Sequence, residues 1–457
     1  MIRFLPLGGA DDIGASCFYL NIDGTGILLD SGIHPQKTKI DSLPKFEFIQ
    51  NEPVDFLFVS HAHLDHIGAL PYLIKKFPYI KVYMTEQTIE IAKLTLHNTV
   101  RITNEQLTGT PDELLYDHDD IDMILRSVAE IKYENSIEII GLRHSTSESI
   151  RITYYDAGHI LGSSSILIEY KNKRIFYTGD IKLSAQTIMN GAVLPDKPVE
   201  VLITESTYAA TDSNGIGTIK AEGGKLIKEA NRIIHKGGSV LIPVFSLGKM
   251  QELLMFLQSK MNGNKLSEVN IFTGGISRKI AHVYDLNRYL VNRKFDKIKL
   301  SEIEQFNYFD IVNPDYYKRH PSIILASSGM MLENTMSNKL MKYWLHHKSF
   351  GIFIVGYMDP STPGHIIKKS TQGETIEISV DIKIKIKCSV SRFHFPSHSV
   401  REELLDISEK LKPSRVILIH GEPEGKDWLG HQILKSNPNI KVHSASVGDS
   451  ITLYSKN

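Results

Sequence analysis

Apolar positions along this chain fall in short, dense runs, and many of the runs stop at a glycine or at a side chain able to hold a metal. Residues 2–30 read as a β-meander, with Asn21-Ile22-Asp23-Gly24-Thr25-Gly26 as a hairpin turn. Phe56-Leu57-Phe58-Val59-Ser60 reads as a buried strand. Helical patterns follow from about Glu86 to Val100 and from Glu113 to Ile131, separated by the loop Thr108-Gly109-Thr110-Pro111. Strand character returns at 150–155, 165–170, 174–177 and 201–203. From about Ala209 the texture changes. Strands at 239–244, 269–273, 322–326 and 351–355 alternate with helices such as Lys249 to Lys260, which predicts a small parallel α/β domain. Ile376, Ile378, Val380, Ile382, Ile384 and Ile386 occupy alternate positions of a half-buried strand or hairpin. A helix from about Glu402 to Leu411, a buried strand Arg415–Ile419 and a final strand Ser450–Tyr454 close the pattern.

Composition narrows the class. A chain of 457 residues, 42% hydrophobic and 23% charged, is a globular protein of two or three domains. No apolar run approaches a membrane span, and Met1-Ile2-Arg3-Phe4-Leu5-Pro6 lacks the parts of a signal peptide. Cys17 and Cys388, neither in a CxxC, argue for a reducing compartment, read here as cytoplasmic. The formal net charge of zero leaves any polyanionic substrate to local patches.

The chemistry concentrates in His61-Ala62-His63-Leu64-Asp65-His66, directly after the strand that ends at Ser60. Any one of the 19 histidines is an ordinary surface or core residue by default, but four donors in six residues are not. They are too many for one open catalytic metal that also keeps a water, so two adjacent metals are expected. His159 and Asp180 lie beside glycines at strand ends; they add a third nitrogen for one metal and a carboxylate able to bridge two. Asp30 is either a turn-former or a residue that orients a ligand, and Glu205 and His420 again end buried strands. The loops holding Ser246 and Lys249, and Ser328 and Gly329, offer backbone amides suited to phosphate; they read equally well as plain strand-to-helix turns.

With Asp30, His159 and Asp180, the HxHxDH turn resembles the metallo-β-lactamase fold. Thr204-Glu205-Ser206-Thr207-Tyr208, the interposed domain, Phe395-Pro396-Ser397-His398 and Val416-Ile417-Leu418-Ile419-His420-Gly421-Glu422 look like the three extra motifs of its β-CASP branch. That branch includes the nuclease subunit of the eukaryotic pre-mRNA cleavage and polyadenylation factor, which this chain resembles more than RNase J. The resemblance implies an α/β protein: a metallo-β-lactamase αββα sandwich over 1–208 and 388–457, with a β-CASP domain inserted over 209–387. It implies two Zn²⁺ ions, one on His61, His63 and His159, the other on Asp65, His66 and His420, with Asp180 bridging. Asp65, Glu205 and His398 are implied as catalytic residues, His398 as general acid held protonated by Glu205. The expected activity is zinc-dependent hydrolysis of RNA, internal or from an end, by a hydroxide shared between the metals. RNA is the expected partner, with no membrane and with a homodimer admitted. A DNA nuclease, a small-molecule hydrolase of thioesters or lactones, and a silent RNA-binding scaffold are the rivals. Three departures from the family pattern stand out: Asp12 and Ala15 for Glu and Arg, Val400 for Asp, and the Pro-rich loop Asp359–Gly364. His394 is a nearby rival to His398.

Overall fold

The computed structural model describes residues 1–106, 115–142, 148–213, 217–290, 297–379 and 382–455. The expected loop 108–111 lies outside them, as do Asn214 to Ile216 and Val380. The chain forms two compact units: Met1–Ala185 with Asn190–Ser213 and His398–Asn457, and Gln186–Met189 with Asn214–Ser397.

The first unit is built on two seven-stranded sheets. The meander Ile2–Gly8, Cys17–Ile22 and Thr25–Leu29 forms as expected, its tight turn carried by Asp23 and Gly24 at positive φ. Parallel to Thr25–Leu29 runs Phe56–Phe58, so Asp30 and the His61 turn emerge at one edge. In the second sheet Lys173–Tyr177, Val201–Glu205 and Arg415–Ile419 run parallel, which brings Asp180, Glu205 and His420 to a common edge as well. Alternation decides the layers. Phe18, Leu20, Leu29 and Phe58 of one sheet share a core with Ile168, Ile175, Ile203 and Ile417 of the other. The opposite faces of those strands, through Phe176, Leu202, Val416 and Leu418, bury Leu404 and Ile407 of the helix Arg401–Leu411 and Leu429 and Ile433 of Pro423–Ser436. This is the αββα sandwich.

The second unit holds a six-stranded, wholly parallel sheet in the order Phe306–Asn307, Asn270–Thr273, Ser322–Ala326, Val240–Pro243, Gly351–Ile354, Ser389–Arg392. The alternating isoleucines form a hairpin, Thr375–Ser379 with Ile382–Lys385, and Ile376, Ile378, Ile384 and Ile386 pack against the core around Trp344 and Ile367.

Two expectations move. The return to the first unit falls at His398 rather than at 388, because Ser389–Arg392 pairs with Gly351–Ile354 as the edge strand of the inserted sheet. The helix expected over 113–131 is confined to His118–Leu125. Asp117 and Asp120 cap it reciprocally, and Ala129–Glu130 leaves to pair with Tyr83 and Met84.

Candidate metal centre

His61, His63 and His66 occupy one turn because the chain leaves the strand at Phe58 and enters a single helical turn, Leu64–Ile67. The fit is close: a Cβ on Gly32 would lie 1.7 Å from the Asp65 carbonyl oxygen, so only glycine lets the neighbouring loop pass. His61 Nε2 and His159 Nε2 each lie 3.1 Å from His63 Nδ1, and 3.5 and 3.7 Å from Asp180 Oδ2. On the other side, Asp180 Oδ1 lies 3.4 Å from His66 Nε2 and 3.3 Å from His420 Nδ1. His420 Nε2 in turn is 3.5 Å from Asp65 Oδ2. The seven residues thus form two donor sets, His61, His63, His159 and Asp180, and Asp65, His66 and His420, and the second oxygen of Asp180 lies beside the histidines of the latter.

Two observations show that these residues fit cations. Asp180 Oδ1 and His420 Nε2 are buried and make no hydrogen bond among the described residues, an arrangement that costs stability unless something else satisfies them. The donor set itself, imidazoles and carboxylates, is the chemistry zinc takes. Burial pushes His61 and His63 down, which favours the neutral imidazole a metal needs. Burial also opposes ionisation of Asp180 and Asp65, but His420, His66 and, for Asp180, His398 outweigh it and hold both well below the usual carboxylate range.

Around the donors lies a second layer. Asp30, fully buried, accepts from Ser60 N (2.6 Å), Ser60 Oγ (2.7 Å) and Tyr177 OH (2.6 Å), and its Oδ2 is 2.8 Å from His66 Nδ1. It fixes that ring so that Nε2 faces the site. Ser60 Oγ is also 3.0 Å from His61 Nδ1, and Thr207 Oγ1 is 3.1 Å from His420 Nδ1. Ser60, Tyr177 and Thr207 were not singled out from sequence; their only signal was adjacency to the donor-bearing strand ends. Asp30 and His420 both sit at positive φ, 62° and 47°. Strained backbone of this kind persists where surrounding contacts over-determine it. For His420 these are its N–H to Gly9 O and its carbonyl accepting from Ser206 N.

A third group adjoins the first two. His398 Nδ1 lies 3.0 Å from Glu205 Oε2 and 3.9 Å from Asp180 Oδ2, and its ring centroid is 4.5 Å from that of His159. Burial lowers the His398 pKa, but Glu205 and Asp180 outweigh it and raise it. Glu205 Oε1 accepts from Ile181 N at 2.7 Å, and Ser399 binds the same loop through its N–H to Ile181 O and its Oγ to Leu183 N. Val400 supplies no side-chain cap to the helix Arg401–Leu411; Glu403 Oε2 takes its N–H and also binds Lys182 Nζ. The family's missing carboxylate at 400 therefore leaves the His398–Glu205 pair intact. His394 belongs to the inserted unit, where its N–H donates to Glu222.

The four expected phosphate contacts also lie in the inserted unit. The loops do meet: Gly329 packs on Phe245, where a Cβ would lie 2.9 Å from the ring. Lys249, however, is buried and its ammonium donates to the Phe395 carbonyl. The amides of Gly248, Lys249 and Met250 bond to Gln251 Oε1, Leu247 O and Phe245 O. Lys249 is a brace within its own unit, not an exposed cation. The Pro-rich loop packs beside Met330, whose carbonyl accepts from Gly364 N.

Residues 19–208 match the metallo-β-lactamase superfamily domain, 250–367 the Beta-Casp domain, and 383–444 the Zn-dependent metallo-hydrolase RNA specificity domain. The chain belongs to the β-CASP branch of the metallo-β-lactamase superfamily. It is 31% identical to Endoribonuclease YSH1 of Eremothecium gossypii, over 96% of this chain and 57% of the relative. It is 29% identical to Cleavage and polyadenylation specificity factor subunit 3 of Dictyostelium discoideum, over 99% and 57%, and 30% identical to Cleavage and polyadenylation specificity factor 73 of Drosophila melanogaster, over 92% and 60%. The chain spans somewhat more than half the length of these relatives. A crystal structure of a protein of unknown function from Enterococcus faecalis V583 shares the fold, with a TM-score of 0.53 at 13% identity, covering 99% of this chain and 100% of that one.

The cytoplasmic expectation is corrected by these relatives, since cleavage and polyadenylation factors act in the nucleus. Cys17 and Cys388 are both buried and unpaired. Among the described residues no helix is long and apolar enough to cross a membrane.

Proposed function

We propose that this protein is a two-zinc ribonuclease that hydrolyses internal phosphodiester bonds of RNA. The observation that carries the reading is the split carboxylate of Asp180, one oxygen toward His61, His63 and His159 and the other toward His66 and His420, with Asp65 completing the second set. The names of the relatives support RNA and internal cleavage. When bound, two cations lower the pKa of water and offset charge building on phosphorus. Everything else is the work of the chain. Asp180 holds the two sets at a fixed separation, and Asp30 and Thr207 fix the rings of His66 and His420. His398 holds a proton at Nε2 for the leaving ribose oxygen, while Glu205, fully buried, keeps Nδ1 facing inward. Ser246, Ser328 and Gly329 are proposed to meet the RNA backbone through the two adjoining loops; Lys249 is withdrawn from that role. One chain supplies both donor sets.

End-labelled RNA and DNA of one sequence, incubated with zinc-loaded protein, test this. Internal cuts in RNA that vanish with chelator and in Asp65→Ala, with the fold retained, are expected. Cutting of DNA alone, or turnover of thioesters with RNA intact, would overturn the reading.

A further inference from the structure

The inserted unit carries a cavity of about 670 Å³ at the amino ends of its parallel strands, the sheet edge opposite the Ser246 and Ser328 loops. It forms where the chain enters Val240–Pro243, Gly351–Ile354 and Ser389–Arg392, and its rim is cationic: Arg232, Lys236, Lys318 and Lys348, with His346 and His347. Among the described residues no carboxylate lines it. Arg232 and Lys318 have partners at i−3, Glu229 and Asp315, both 2.6 Å away. Such exposed pairs are weak and leave the cation reachable. Among the described residues the ammonium groups of Lys236 and Lys348 have no carboxylate within ion-pair distance and no other side-chain partner. His347 senses the same field: its pKa is lowered by burial and then by Lys318 and His346.

Cations after a helix C-terminus offset the helix dipole, and Lys236 and His346 follow the helices Ile219–Ile234 and Met336–Trp344. That accounts for each position singly. It does not account for their convergence on one cavity in a chain of zero net charge. The lining decides the occupant. Besides the cations it offers Ser349, Ser389, Gln372 and Gly237, and among the described residues no aliphatic or benzenoid side chain. A protein partner or an amphipathic helix needs an apolar anchor, and a small-molecule pocket is mostly apolar. A phosphodiester backbone needs neither; lysines, hydroxyls and backbone amides are what it binds.

We infer that this basic cavity is an accessory site for the phosphate backbone of single-stranded RNA, separate from the metal centre. The choice of RNA rests on the proposed ribonuclease function; the polyanion chemistry does not.

The test uses the full chain and the double variant Lys236→Glu/Lys348→Glu, both residues being exposed. Binding of a fluorescent oligouridylate of about 25 nucleotides, followed by anisotropy across a salt series, should weaken roughly tenfold, and the slope of log K against log salt should shrink by about one. Cleavage of an RNA of about 8 nucleotides should keep its kcat. An unchanged affinity and slope would overturn the site. So would displacement by polyglutamate but not by unlabelled RNA, which would assign the cavity to an acidic protein segment. If the wild type binds RNA through these lysines yet cuts none, the site stands and the ribonuclease reading falls; cutting with unaltered binding in the variant gives the reverse.

Discussion

Nδ1 of His398 faces Oε2 of Glu205 at 3.0 Å, although the two are 193 residues apart in sequence. Glu205 is fully buried, and its other oxygen, 3.1 Å from the same Nδ1, also accepts from the amide of Ile181, beside Asp180. The carboxylate therefore ties the imidazole to the loop that carries Asp180. Glu205→Gln keeps the shape but removes the charge that favours imidazolium. It should slow single-turnover RNA cleavage by about 10²-fold, and His398→Ala by about 10²–10³-fold. Zinc content by elemental analysis should stay at the wild-type level in both.

Asp180→Asn and His420→Ala should separate the two donor sets. Losing the shared carboxylate weakens both sets, whereas losing His420 weakens one. Elemental analysis of dialysed protein should find the first variant depleted of both ions and the second retaining about one. Equal loss from the two would contradict a shared Asp180.

Asp30→Asn should lower metal affinity about 10–100-fold without unfolding the protein. Asparagine tolerates the positive φ of 62° and can still bond Ser60, but it no longer offers His66 a charge. Competition against a fluorescent zinc chelator measures this directly.

Asp156 supplies the pH prediction. Burial pushes its carboxyl up to about 7, while its Oδ1 accepts from Gly158 N at 2.8 Å. A carboxyl raised in the folded state keeps its proton where the unfolded chain has lost it. Its contribution to stability is therefore full below about pH 4 and lost as pH rises toward 7. Asp156→Asn retains the acceptor and cannot ionise. It should raise unfolding free energy at pH 8 by about 4 kcal/mol and leave it nearly unchanged near pH 4, read from urea melts at both pH values.

Much of the site was legible because its donors sit at strand ends, where buried apolar runs stop abruptly at His61, Asp180, Glu205 and His420. The parallel strands then carry them to common edges without further information. Residues whose role depends on side-chain direction were not legible. Tyr177 reads as one more aromatic in a strand until its hydroxyl is found 2.6 Å from Asp30. Lys249 reads as part of an amide-rich loop opening a helix until its ammonium is found on the Phe395 carbonyl, far along the chain. The boundary near 388 failed for a related reason: Ser389–Arg392 is too short and too polar to announce that it joins the inserted sheet.

Val201–Glu205 and Arg415–Ile419 are hydrogen-bonded neighbours, yet all of the inserted unit except Gln186–Met189 is synthesised between them. At about 5–20 residues per second, a ribosome needs roughly ten to forty seconds to make that stretch. Throughout that interval the nascent chain carries an open sheet edge and a second donor set still missing His420. Completion of the second donor set is thus a late event in biogenesis, and chains interrupted before Ile419 would present a sticky, unpartnered strand to chaperones and proteases.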